Sequence, residues 1–119
     1  MKHLILLLVV LLKAIAASAA CTPDDYDRRH AESYMREAEY YRKKADSYRR
    51  EADYYMKKAE SYQREAAYYT RRGDADRAKY YLRQADRAMD NYKTQMRYAK
   101  NADEKAADYL RRASDRLRR

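Results

Sequence analysis

AESYMRE, AEYYRKK, ADSYRRE, ADYYMKK, AESYQRE, AAYYTRR: residues 31–72 are six consecutive heptads in a single phase. Taking alanine as position a, that position is Ala31, Ala38, Ala45, Ala52, Ala59 and Ala66. Position d is Tyr34, Tyr41, Tyr48, Tyr55, Tyr62 and Tyr69. A seven-residue apolar repeat keeps one stripe of an α-helix turned toward one partner helix. Alanine at a lets the partner backbone come close. Tyrosine at d supplies contact area and keeps its hydroxyl at the edge of the seam. These twelve residues are the expected helix-packing seam.

The other heptad positions support the same helix. Position b is acidic at Glu32, Glu39, Asp46, Asp53 and Glu60, and position f is basic at Arg36, Lys43, Arg50, Lys57, Arg64 and Arg71. Each of those acids precedes a base by four residues, the favourable order for support along a helix, about 0.2–0.5 kcal/mol per pair. A second period of 14 residues runs through positions c and g. Tyr40, Tyr54 and Tyr68 at c are each followed four residues later by a cation, Lys44, Lys58 and Arg72. Such pairs suit cation–π contacts and recur about every 21 Å of helix. They lie off the seam, and they are the candidate interaction face. Duplication of a 14-residue unit accounts for the spacing without any function.

Working outward, the heptads end at Gly73-Asp74, which contains the chain's one glycine. Glycine just past a helix end and aspartate opening the next are stop and start signals. A second seam follows, with a positions Ala78, Ala85, Tyr92, Ala99, Ala106 and Ala113 and d positions Tyr81, Ala88, Gln95, Ala102, Tyr109 and Arg116. Position e beside it carries Leu82, Met89, Met96, Leu110 and Leu117. Upstream, Thr22 suits a cap, Pro23 the first turn and Asp25 the third position of the first helix. The expected organisation is a first helix over 22–72, a turn at 73–74 and a second helix over 75–118. The fold class is all-α: a long antiparallel helical hairpin or coiled coil, expected to self-associate because two helices bury little. One continuous helix kinked at Gly73, or a four-helix fold, are the competing arrangements.

Composition agrees. Charged residues make up 39% of the 119 residues, and Gly and Pro occur once each. Few Gly and Pro with much Ala, Arg, Lys, Glu and Asp is the composition of long helices. A mean hydropathy of −1.15 invites disorder as the alternative, and the strict heptads argue against it. The formal net charge is +9, which favours anionic partners.

Residues 1–20 stand outside the pattern. Met1-Lys2-His3 is a basic start, Leu4 to Leu12 an apolar run, and Ala14 to Ala20 a small-residue stretch, the layout of a secretory signal peptide. The apolar run is short of the roughly 20 residues that span a bilayer. Ser18-Ala19-Ala20-Cys21 resembles the lipobox of bacterial lipoproteins, with Ser18 where an aliphatic residue usually stands. Cys21 is therefore the lipidation candidate. A lone thiol in an oxidising compartment also fits an intermolecular disulfide. The expected location is the bacterial periplasm or cell envelope, with Cys21 as a membrane anchor.

No catalytic constellation is legible. After the leader only His30 remains of the histidines, and a nucleophile needs a base held against it. The chain is expected not to be an enzyme and to need no cofactor. The stretch AAYYTRRGDADRAKYYLRQADRAMDNY, residues 66–92, resembles the repeat spacing of the small periplasmic metal-binding proteins of nitrifying bacteria. Tyrosine stands where that family carries histidine, so no ligand residue carries over, and metal sequestration is an alternative function with no assigned ligands. The exported heptads also resemble small alanine-zipper envelope lipoproteins of the murein lipoprotein type. Those attach to peptidoglycan through a C-terminal lysine, whereas this chain ends Arg118-Arg119. The resemblance implies a structural or interaction role in the envelope, with partners drawn from a second copy, a partner helix, an anionic envelope polymer or a membrane surface. Arg, Lys and Tyr together also suit single-stranded nucleic acid, a weaker reading because acids flank the basic row and export removes most nucleic acid from reach.

Overall fold

A computed structural model of the chain describes residues 24–118. The leader expected over residues 1–20, the candidate Cys21, and Thr22 and Pro23 lie outside the described residues, as does Arg119. Two helices make up the structure, α1 (Asp25–Arg71) and α2 (Ala75–Leu117), packed as a hairpin. The fold is all-α, and no single kinked helix is formed.

Asp24 opens α1. Its Oδ1 accepts the Asp27 amide at 2.7 Å, so the cap lies two residues past Thr22 and Asp25 is the first helical residue rather than the third. The turn is equally specific. Gly73 has φ of 77°, the left-handed region that glycine enters without a Cβ penalty. The Asp74 amide donates to the Tyr69 carbonyl at 2.9 Å and the Gly73 amide to the Thr70 carbonyl at 3.1 Å. Together these are the two bonds of a Schellman ending. Asp74 then caps α2 at once, its Oδ1 accepting the Arg77 amide at 3.1 Å.

The described residues divide into two compact units, residues 24–38 with 107–118, and Glu39–Ala106. In the first, the start of α1 runs antiparallel to the end of α2. Tyr34 and Tyr109 meet with ring centroids 6.1 Å apart, and Arg116 pairs with Asp27 at 3.3 Å. That is the least exposed ion pair of the described residues, with side chains 24% and 13% exposed. Its hydrogen bond to Asp27 raises the Arg116 pKa further, so this guanidinium at a d position stays charged.

The Glu39–Ala106 unit is a hairpin closed at Gly73. Tyr48 lies 5.4 Å from Tyr98 and Tyr62 lies 6.2 Å from Tyr81, measured between ring centroids. Among the described residues of both units every buried residue is an alanine. The six a alanines of α1 are all buried, as are Ala78, Ala85, Ala99, Ala106 and Ala113 at a in α2 and Ala88 and Ala102 at d. The d tyrosines of α1 are only half-buried, because two helices leave the far edge of each ring open to water. The e residues Leu82, Met96 and Leu110 are exposed rather than part of the seam. Of the five expected b-to-f ion pairs, Asp53–Lys57 forms, at 3.0 Å. Asp46 instead joins Arg49 at 2.8 Å, and Arg49 also reaches Asp103 of α2.

Candidate tyrosine and cation face

The c-row tyrosines stand where the 14-residue period puts them. Tyr40, Tyr54 and Tyr68 are 53%, 51% and 41% exposed. Each leans on the half-buried d tyrosine that follows it: the Tyr40–Tyr41, Tyr54–Tyr55 and Tyr68–Tyr69 centroids are 5.2, 5.3 and 5.1 Å apart, all edge to face. Offset and edge-on contacts are the favoured aromatic geometries. The seam thus holds the inner ring and the inner ring steers the outer one.

The following cations close over these rings. Lys44 Nζ is 5.5 Å from the Tyr40 centroid, Lys58 Nζ 5.3 Å from that of Tyr54, and the Arg72 guanidinium 5.3 Å from that of Tyr68. Arg72 also donates a hydrogen bond to the Tyr68 hydroxyl. A hydrogen bond and the charge of Tyr54 raise the Lys58 pKa above its ordinary 10.5, so this ammonium is held charged. Among the described residues, none of Lys44, Lys58 and Arg72 pairs with a carboxylate.

Helix α2 enlarges this face. A shallow groove of about 120 Å³ is lined by Tyr41, Lys44 and Tyr48 of α1 and by Tyr98, Asn101 and Lys105 of α2. Lys105 Nζ sits 5.2 Å from the Tyr41 centroid, and it too has no carboxylate partner among the described residues. Two ammonium groups, three phenols and a carboxamide converge there. That set can stack a ring and hold an anionic substituent. Tyr98 and Lys105 escaped the sequence reading. The signal for them is that both occupy position g of α2, one heptad apart, but their meeting with Tyr41 and Tyr48 depends on how the two helices are staggered.

Compared with models of protein families, with curated proteins and with solved structures, the chain matches none. The face therefore rests on its own chemistry. Among the described residues no three His, Cys, Asp or Glu side chains converge in a metal-binding arrangement. Nor is any helix there long and apolar enough to cross a membrane.

Proposed function

We propose that this chain is a non-catalytic helical protein of the cell envelope that pairs helices and holds its tyrosine and cation face against an anionic envelope polymer. The observation that carries the reading is the set of four cations, Lys44, Lys58, Arg72 and Lys105, each seated on a tyrosine ring and free of any carboxylate among the described residues. Cations engaged by tyrosine rings and hydroxyls rather than by carboxylates keep their charge available to an anion, and the exposed rings beside them can stack on sugar rings. Repetition along the helix suits a repeating ligand, because linked weak sites gain affinity from effective concentration.

Co-sedimentation of residues 22–119 with isolated envelope polymers, with and without chelator, tests it. Binding that survives chelation and falls when Tyr40, Tyr54 and Tyr68 are changed to alanine is the expected result. Binding that needs a metal ion points instead to sequestration. No binding to any anionic polymer ends the proposal.

A further inference from the structure

The Glu39–Ala106 hairpin has four Leu and Met side chains: Met56, Leu82, Met89 and Met96. All four occupy position e of their helix, the flank away from the tyrosine groove. Arg49 and Asp103, also e residues, bond across the hairpin and show that both e rows share one side. One heptad nearer the turn, the same reach brings Met56 toward Met96, while at the level of the Tyr48–Tyr98 and Tyr62–Tyr81 rings Met56 lies beside Met89 and Gln63 beside Leu82. Leu82 and Met96 are 49% and 39% exposed. The interior of this hairpin is alanine alone. Its longest aliphatic side chains are thus gathered on a face that one copy leaves open, and apolar surface left in water is the main unused source of stability.

We propose that a second copy of this hairpin covers the Met56–Met96 face, with α1 of each copy laid along α2 of the other. The charges at the rims of the face select both the occupant and its orientation. The α1 rim carries Asp53 and Glu60; the α2 rim carries Lys93 and Lys100. A dyad parallel to the helices brings the acidic rim of one copy to the basic rim of the other. At the level set by the Tyr48–Tyr98 and Tyr62–Tyr81 rings, Asp53 then lies level with Lys93 of the second copy, with Lys100 one heptad further from the turn, and Glu60 lies on the turn side of Lys93, within reach of these long side chains. Asp86, the one acid in the basic row, lies level with Glu60 of the second copy and is the one like charge that the rims bring together. Arg49 of each copy faces Asp103 of the other, so the central ion pair becomes a ring of alternating sign. Every neighbouring helix in the resulting four-helix bundle is antiparallel. A dyad across the helices would instead set acidic rim on acidic rim and basic on basic, which costs free energy. Among the described residues Glu60, Lys93 and Lys100 have no ion-pair partner within one copy. A lipid surface would meet rims of opposite sign and an ion pair in mid-face, a poorer match than a second copy.

The proposal deepens the helix-pairing half of the function above and rests on that half alone, so failure to bind polymer leaves it standing. The full chain, purified as expressing cells process it, is examined by sedimentation equilibrium and by zero-length carbodiimide cross-linking of a mixture of ¹⁴N- and ¹⁵N-labelled protein. The expected result is a dimer with mixed-isotope cross-links joining Asp53 to Lys93 or Lys100 and Glu60 to Lys93. Within one copy these side chains point away from each other on opposite rims. Met96→Glu should weaken the dimer by more than about tenfold, since it sets a charge in the apolar face and offers Lys93 and Lys100 an acid of their own copy, whereas Met96→Leu should keep it. A monomer, a dimer without those cross-links, or a dimer that Met96→Glu leaves unchanged overturns the proposal.

Discussion

Tyr81 is the residue on which the turn end of the Glu39–Ala106 hairpin converges. Its ring stacks on Tyr69 at 5.5 Å with planes 2° apart, meets Tyr80 edge-on at 5.1 Å, and faces Tyr62 at 6.2 Å. Burial, and then the neighbouring charges of Tyr69 and Glu65, raise the Tyr81 pKa above its ordinary 10.0. The folded state therefore holds the phenol neutral where an unfolded chain would already lose the proton. The stability this contributes is present in full below the unfolded value and drains as pH rises from there through the folded pKa. Lys58, whose pKa is also raised, loses its contribution in the same direction above its own ordinary value. Thermal unfolding followed between pH 8 and about 11.5 should show stability falling above pH 10, and less steeply in Tyr81→Phe. A fall of equal slope in both proteins would show that Tyr81 is not the group responsible.

At the scale of the helices, the ends decide the fold and the seam only keeps it in phase. Gly73 stands in the left-handed region, and a Cβ built there meets nothing within 4 Å. Gly73→Ala should therefore cost backbone strain alone, about 1–2 kcal/mol. The check is a lower urea midpoint with unchanged slope, with Gly73→Asn falling between the two. This turn was legible in advance because a single glycine followed by aspartate admits few readings. The alanine positions were legible too, since period alone selects a buried stripe. What period does not carry is how far each ring is covered: the d tyrosines look like core residues in the heptad and end half-buried, because only one helix faces them. Met56 was missed as a partner of Met89 and Met96 for a related reason. Within the Glu39–Ala106 hairpin the e row of α1 otherwise holds Arg42, Arg49, Gln63 and Thr70, so its one methionine reads as an isolated surface residue until the Arg49–Asp103 contact shows that the two e rows share a side. The groove around Tyr98 and Lys105 was hidden in the same way, since its parts lie some 50 residues apart in the chain.

For the molecule as a whole, the question is how a chain of net charge +9 spends its cations. Five of the six in the f row of α1 stand four residues after an acid, and one of them, Lys57, is paired with Asp53 at 3.0 Å. Those at g are engaged by tyrosine rings. The two groups should behave differently toward a polyanion, although both are made of Lys and Arg. An exposed charge already facing an acid gains less from an anionic partner, and its own pair is screened by salt. A cation over a ring has no competing carboxylate to leave. Neutralising Lys44, Lys58 and Arg72 together to Gln should therefore lower polymer affinity strongly and flatten its dependence on salt. Neutralising Lys43, Arg50 and Lys57 to Gln removes the same three charges and should lower it less, with helicity retained in both. Binding isotherms of the two triple variants across a salt series decide the matter. Equal losses would mean that the polymer senses only net charge, and that the tyrosines do no more than pack beside the cations.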